Sequence, residues 1–395
     1  MNWELNSGRI EPPRGIYVHI PFCSQRCGYC NFALVANRDY LIDDFLKCLE
    51  TEIELVSDKW NREGFDLSSF PLETLFLGGG TPSHLTPTQF NQIIEVLRCR
   101  FDFAPELEFT IEANPNDVNP ARCAGWEAAG VNRFSLGAQS FDREKLEFLE
   151  RTHRGKDIEH AVELCCAVSR NLSLDLIFGS AREELESWKA DLESAMRLGI
   201  KHLSTYGLTI EKGTRFGSRA AKGESLDVDD EASARLYEAA QESARDHGMA
   251  QYEISSFAIP GYECRHNRMY WNLDSYLAFG PGAASFDGQT RVRNHESVST
   301  YLKKLSDKQF PIQVVDTLDA QLLAKERLIF GMRQIAGVNR HEFEEKVGVK
   351  PESLIPPSLL DSLLENQLIQ IDENLRLTAR GVLVSDAIWV QVLAD

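Results

Sequence analysis

The chain has 395 residues, a formal net charge of −18 and 43% hydrophobic residues. This length accommodates one large domain and a smaller one, and so acidic a composition argues against a nucleic-acid partner held through phosphates or attachment to anionic lipid. The opening MNWELNSGRIEPPRG lacks the apolar core of a signal peptide, no apolar run reaches a membrane span, and nine cysteines, an odd number, suit a reducing cytoplasm better than a disulfide scaffold.

Residues 15–20 form a short apolar, β-branched run, read as a strand that delivers three cysteines at its C-terminal end. Cys23 and Cys27 are separated by three residues, Cys27 and Cys30 by two. Thiolates are the ligands of iron–sulfur clusters, and a four-iron cubane normally takes four of them. Three on one loop can hold three irons and leave the fourth open to a small chelating molecule. A zinc knuckle or three buried thiols are the alternatives. Zinc prefers four ligands in paired groups, and no second Cys/His pair follows at a suitable distance.

Further along, residues 40–59 have helical periodicity, with Leu41, Phe45, Leu49, Ile53 and Val56 on one face. A second strand over 72–77 ends in Gly78-Gly-Gly-Thr-Pro82, where missing side chains let a ligand approach the backbone. Thr86 and Pro87 then read as the N-cap and first residue of a helix. Strands follow over 107–113, 133–136, 172–178 and 202–210, with amphipathic stretches such as 184–198 and 230–247 between them. Repeated strand-then-helix units predict a parallel sheet with right-handed crossovers. About six units fall short of a closed eight-fold barrel, so the expectation is an open, partial (β/α)6 barrel over residues 1–308.

Loops at the C-terminal ends of barrel strands build active sites. Cys23, Gly79, Glu112, Gln139 and Asp175 all fall near that rim. Glu112 can accept hydrogen bonds from a ligand amine or ribose, or can be a surface acid. Arg151, taken alone, reads as a solvated residue at a helix end.

Beyond residue 309 the pattern changes to helices over 318–334, 340–347 and 358–365, then a hairpin over 368–378. This predicts a winged-helix-like C-terminal domain over 309–395. Residues 339–395 hold ten acidic and five basic side chains, so a structural or partner-binding module is expected rather than a DNA-binding one. Cys48, Cys99, Cys123, Cys165 and Cys166 read as small core residues of helices, whereas Cys264 lies beside His266-Asn-Arg-Met-Tyr-Trp271. A neutral His266 can ligate haem iron, and Tyr270 and Trp271 can cover a porphyrin face. The local alternative is a hydrogen-bonded histidine that locks a loop.

The cysteine spacing, with Tyr29 just before the last cysteine, resembles the radical S-adenosylmethionine (SAM) superfamily. From 17–23 through Gly78–Pro82, 111–115, 137–141, 175–179, 206–211, 252–257 and 266–271, the chain resembles the oxygen-independent coproporphyrinogen dehydrogenase family, and within it the haem chaperone HemW branch. The resemblance implies that Cys23, Cys27 and Cys30 hold a [4Fe–4S] cluster. It makes Tyr17, Gly79, Gly80, Thr81 and Glu112 a SAM site, and matches Gln139, Arg151 and Asp175 to positions that serve a second SAM in the dehydrogenase. It associates His266 with haem. The partners it implies are haem, a haem-acceptor protein and an electron donor for the cluster.

Two departures distinguish the branches. The dehydrogenases carry a fourth cysteine where this chain has Phe32, and they have a longer extension before the cluster. Both favour haem handling over porphyrinogen oxidation. The turn Gly282-Ala-Ala-Ser-Phe286 lacks the histidine that often follows Gly-Ala in the chaperone branch. The expected function is therefore haem binding and transfer by a cytoplasmic protein with a cluster and SAM, without an assigned catalytic residue. The alternatives are the dehydrogenase itself and a radical SAM methyltransferase on the same frame.

Overall fold

The computed structural model describes residues 11–394. The first ten residues, on which much of the signal-peptide reading rests, lie outside this range. Six strands form the centre of the fold: β1 (Gly15–Ile20), β2 (Leu72–Gly79), β3 (Phe103–Ala113), β4 (Arg133–Gln139), β5 (Leu172–Phe178) and β6 (His202–Gly207). They lie side by side in chain order and all pair in parallel. The outer layer includes α1 (Ile42–Arg62), α2 (Pro87–Arg100), α3 (Pro120–Ala129), α4 (Gly155–Val168), α5 (Leu185–Arg197) and α6 (Asp230–Asp246). The expected six-unit barrel is present. Thr86 caps α2 by accepting from the Gln89 N–H, with Pro87 at the first helical position.

The period-2 alternation of each strand sorts its side chains between two environments. Leu172, Leu174 and Leu176 of β5 are fully buried in the apolar core, as are Ile111 of β3 and Leu136 of β4. Their neighbours Asp175, Glu112 and Ser135 face the interior of the barrel, where they line a cavity. The register sets them level, with Glu112 opposite Ser135 and Asp175 opposite Ser204. The apolar layer thus lies between sheet and helices, and the polar chemistry is confined to the inside.

Six strands were expected, and the sheet has twelve. Beyond β6 come β8 (Ser256–Ala258) and β7 (Ala250–Glu253), both antiparallel. Beyond β1 come β9 (Tyr276–Phe279), parallel to it, then β10 (Ala284–Phe286), β11 (Thr290–Asn294) and β12 (Ile312–Thr317), paired antiparallel. These strands are short and carry weak periodicity of their own. The two outer strands lie at opposite ends of the order, so the sheet stays open.

Strand β12 lies past the expected boundary at 308/309. After it come the helices Ala320–Met332, Arg340–Val347 and Pro357–Glu365 and a small three-stranded sheet containing Ile369–Ile371 and Asn374–Leu377. This is the helix-and-hairpin module expected from the sequence, and Asn339 caps its second helix as read. Two cysteines depart from the core assignment. Cys99 is exposed and Cys166 only half-buried, because each falls off the inward face of its helix.

Candidate functional site

Strand β1 ends at Ile20, and the chain then turns through the three cysteines across the C-terminal mouth of the barrel. A two-residue parallel pairing, Phe22 with Val35 and Cys23 with Ala36, closes the base of this loop. Cys23, Cys27 and Cys30 line one cavity of about 410 Å³, together with Gly79, Gly80, Thr81, Glu112, Gln139, Arg151 and Asp175. The structure therefore brings together residues spread over more than 150 positions of sequence.

Cys23 is buried and its Sγ lies 3.1 Å from Thr81 Oγ1. Burial pushes its thiol up to about 12, so a thiolate here needs a positive partner inside the cavity. Arg151 is enclosed rather than solvated: it donates to the Gly137 carbonyl at 2.9 Å and to Cys27 Sγ at 3.6 Å, and its Nε is buried without a partner. Among the described residues no three His, Cys, Asp or Glu side chains gather tightly enough to hold a single metal ion. The thiols share a cavity wall instead.

The glycine turn has a different origin from the one its sequence suggests. Gly79 has φ +104°, and a Cβ there would meet the His19 ring at 2.5 Å. A Cβ on Gly78 would meet Glu112 Oε2 at 2.8 Å, and one on Gly80 the Ile20 carbonyl at 2.7 Å. These glycines are required by close packing of the protein against itself. His19 fills that space, sharing hydrogen bonds with the Tyr17 hydroxyl at 3.2 Å and the Ala33 carbonyl at 2.7 Å. It thereby ties the far end of the cysteine loop to β1.

Glu112 accepts the Gly79 N–H at 2.9 Å. Burial and then the neighbouring Asp175 carboxylate push its acid up to about 7, against the pull of that hydrogen bond. Asp175 is raised as well, by burial, although Ser135 donates to it at 2.9 Å. Two acids on the cavity wall disfavour anions and suit a cationic ligand group.

Gln139 sits at φ +66° at the end of β4. Its loop is clamped from two sides. Arg151 and His153 hold the Gly137 and Ala138 carbonyls, and Asp191 accepts from Ser140 Oγ at 2.6 Å and the Phe141 N–H at 2.7 Å. Asp191 is buried and paired with Lys145 at 3.3 Å.

Two residues singled out in the sequence lie elsewhere. Tyr17 faces the barrel interior against Phe76 and His266 and does not line the cavity. His266, on α7 (Arg265–Trp271), is 1% exposed. Its Nδ1 is 2.8 Å from Thr74 Oγ1 and its Nε2 is 2.8 Å from the Tyr270 hydroxyl. Burial, then the Arg133 charge, lowers its pKa to about 3. A neutral imidazole has one lone pair, and here a hydroxyl takes it. The His266 ring stacks on Phe76 with centroids 5.0 Å apart, and it does not itself line the cavity. Both ring nitrogens are hydrogen-bonded, as in the locked-loop alternative, so a nitrogen offered to haem iron would have to give up one of these bonds. Tyr270 packs on Tyr276, and Trp271 stacks with Phe330 and has the Arg333 guanidinium 4.6 Å from its ring centre. Both are used in packing rather than as a porphyrin face.

Sequence reasoning missed Ser135 and Tyr206, which also line the cavity. Counting by two back from Gly137 along β4, and from the inward Ser204 along β6, reaches both. It also missed the short helix Arg215–Ala220, whose Phe216 N–H donates to the Gly28 carbonyl at 2.9 Å. No periodic signal marks that contact.

A parallel barrel with a three-cysteine loop at its C-terminal mouth defines a radical SAM protein, and the radical SAM superfamily model matches residues 17–195. The HemN C-terminal domain model matches 318–384. The chain is 33% identical over 385 residues to the haem chaperone HemW of Bacillus subtilis (strain 168), covering 97% of this chain and all of that protein. It is 32% identical over 396 residues to the haem chaperone HemW of Escherichia coli (strain K12), covering 97% and 99%. The chain belongs to the HemW family. In fold it is similar to the Escherichia coli coproporphyrinogen III oxidase HemN, with a TM-score of 0.84 at 21% identity over 98% of this chain and 92% of that one.

The family implies a [4Fe–4S] cluster and SAM. The donor set fits: three thiols, a buried cation beside Cys27, and the acids Glu112 and Asp175, suited to the cationic groups of SAM, all line the one cavity. When bound, the cluster supplies an electron to SAM.

Proposed function

We propose that the chain is a haem chaperone that binds haem and passes it to an acceptor protein. Cys23, Cys27 and Cys30 would hold the cluster, and Thr81, Glu112 and the Gly79–Gly80 backbone would border SAM. Gln139, Arg151 and Asp175 line the inner wall for a further ligand group. The observation that carries the reading is the complete cavity with Phe32, not a thiol, on its rim. Phe32 cannot ligate iron, so porphyrinogen oxidation as performed by the dehydrogenases is not the expected activity. An electron donor is the second partner.

Nine cysteines, all free, support a reducing cytoplasm as the place of action, and among the described residues no helix is long and apolar enough to cross a membrane. The net charge of −18 supports the absence of a nucleic-acid partner. We divide the chain at about residue 318, because Ile312–Thr317 pairs into the large sheet.

One preparation tests the proposal: anaerobic cluster reconstitution, then haem titration, transfer to an apo-haemoprotein, and a coproporphyrinogen decarboxylation assay. The expected result is haem binding and transfer without decarboxylation. Measurable protoporphyrinogen formation would restore the enzyme reading.

A further inference from the structure

The two hydrogen bonds of the His266 ring are not equivalent, and together they assign its tautomer. Thr74 Oγ1 lies 2.8 Å from His266 Nδ1 and donates its own proton to Met269 Sδ at 3.9 Å. A hydroxyl has one proton and a thioether only accepts, so Thr74 accepts from His266 and Nδ1 is the protonated nitrogen. Nε2 then holds the lone pair and accepts from the Tyr270 hydroxyl at 2.8 Å. The stack on Phe76 keeps the ring in this orientation.

The two sides of the ring are closed in different ways. Thr74 stands on β2 between β1 and β3, level with Gly15 and Glu108. A Cβ on Gly15 would lie 2.2 Å from Thr74 Oγ1 and 2.8 Å from Met269 Sδ, so the sheet itself fills the Nδ1 side. Glu108 is buried and accepts the N–H groups of Arg265 at 2.9 Å and His266 at 3.0 Å, which fixes the first turn of α7 to β3. One hydroxyl closes the Nε2 side. It belongs to Tyr270, a half-buried residue near the end of α7 whose ring meets Tyr276 edge-on at 4.6 Å. Turning that side chain aside frees the lone pair of Nε2, whereas freeing Nδ1 requires the central strands to part.

A histidine that ligates a metal through one nitrogen characteristically donates the other N–H to a fixed acceptor, which sets its tautomer and its aim. We propose that Thr74 is the positioning residue that aims His266 at haem iron through Nε2, and that the Tyr270 hydroxyl is the cap the iron displaces. The proposal rests on the haem-chaperone reading and adds to it how the closed histidine opens. Nε2 gives its lone pair to the iron, no proton leaves the imidazole, and the Tyr270 O–H turns to water. The cap competes with the iron and recloses the ring when haem leaves, which suits a protein that must release what it carries.

The test uses the full chain with its cluster reconstituted. In the haem-free chain, nitrogen NMR of isotopically labelled histidine should report a proton on His266 Nδ1, the signal being identified by its loss in His266→Gln. A proton on Nε2 instead would overturn the proposal. Titration with ferric haem and with iron-free protoporphyrin IX then separates aim from architecture. Tyr270→Phe should tighten haem binding by about threefold to tenfold. Thr74→Val should weaken it by about tenfold, and Thr74→Ser should restore it. Iron-free porphyrin makes no bond to the histidine and should bind all of these chains alike. A parallel loss of haem and porphyrin affinity would make the two residues structural. Haem affinity unchanged in Thr74→Val, or not tightened in Tyr270→Phe, would remove them from the site. Any of these results overturns the proposal and leaves the chaperone reading standing. Absence of haem binding by the unaltered chain would overturn both.

Discussion

The backbone N–H of Gly79 and the carboxylate of Glu112 are joined at 2.9 Å, binding the end of β2 to the end of β3 at the cavity wall. This bond uses one oxygen of an acid that burial has raised from 4.5 to about 7. Its titration is thereby moved towards the neutral range.

In the proposed site a cationic group of SAM would meet the ionised form of Glu112, so affinity should rise with pH. Below about pH 7 it should fall by up to about tenfold per pH unit. Equilibrium binding of SAM between pH 5.5 and 8.5 measures this, and Glu112→Gln should flatten the profile. A profile as steep in the variant as in the native chain would remove Glu112 from the site.

Gly79→Ala should destabilise the barrel mouth even without ligand. A side chain at φ +104° costs on the order of 1–3 kcal/mol, and its Cβ would press on the His19 ring. Denaturant unfolding of the native chain, Gly79→Ala, His19→Ala and the double variant forms a cycle. The two sites should couple by about 0.5–3 kcal/mol, and additive losses would contradict the contact.

Cys23→Ala, Cys27→Ala and Cys30→Ala, singly or together, should abolish a stable cubane. Iron and sulfide analysis after anaerobic reconstitution checks this. Cys99, exposed and on the far side of α2's core face, provides the control substitution and should leave the content unchanged.

Glu52 of α1 is fully enclosed and accepts from the Gly280 N–H, Asn294 Nδ2 and the Tyr301 hydroxyl, the last at 2.6 Å. Burial raises it from 4.5 to about 7 against those three bonds. Because the native state then holds a proton that the unfolded state has lost, stability should fall as pH rises from about 4.5 to about 7 and level off above. The size is on the order of 3 kcal/mol for this group. Glu52→Gln should lose that component of the slope and cost about 1–3 kcal/mol, since its amide nitrogen cannot accept a hydrogen bond. Urea unfolding of both chains across pH 4–8 separates the two effects.

The order and direction of the six central strands were legible in the chain because each carries a strong apolar period and ends in a turn or cap. Leu172, Leu174 and Leu176 alternate with Ser173 and Asp175, and Thr86-Pro87 marks a helix start whatever surrounds it. The cysteine spacing likewise carries its chemistry within eight residues. What local pattern could not fix was the use of side chains whose neighbours are distant in sequence. His266 reads equally as a ligand or as a core residue until Thr74, 192 positions away, closes one nitrogen. The Gly79 turn reads as an opening for a ligand and does line the cavity, but the reason a side chain is excluded there, the His19 ring packed where a Cβ would go, comes from a distant position. Arg151 reads as solvated until the loop from β4 folds over it. Period and spacing are properties of a segment and survive in the sequence. Hydrogen-bond saturation and steric exclusion depend on contacts between segments, and only the tertiary packing decides them.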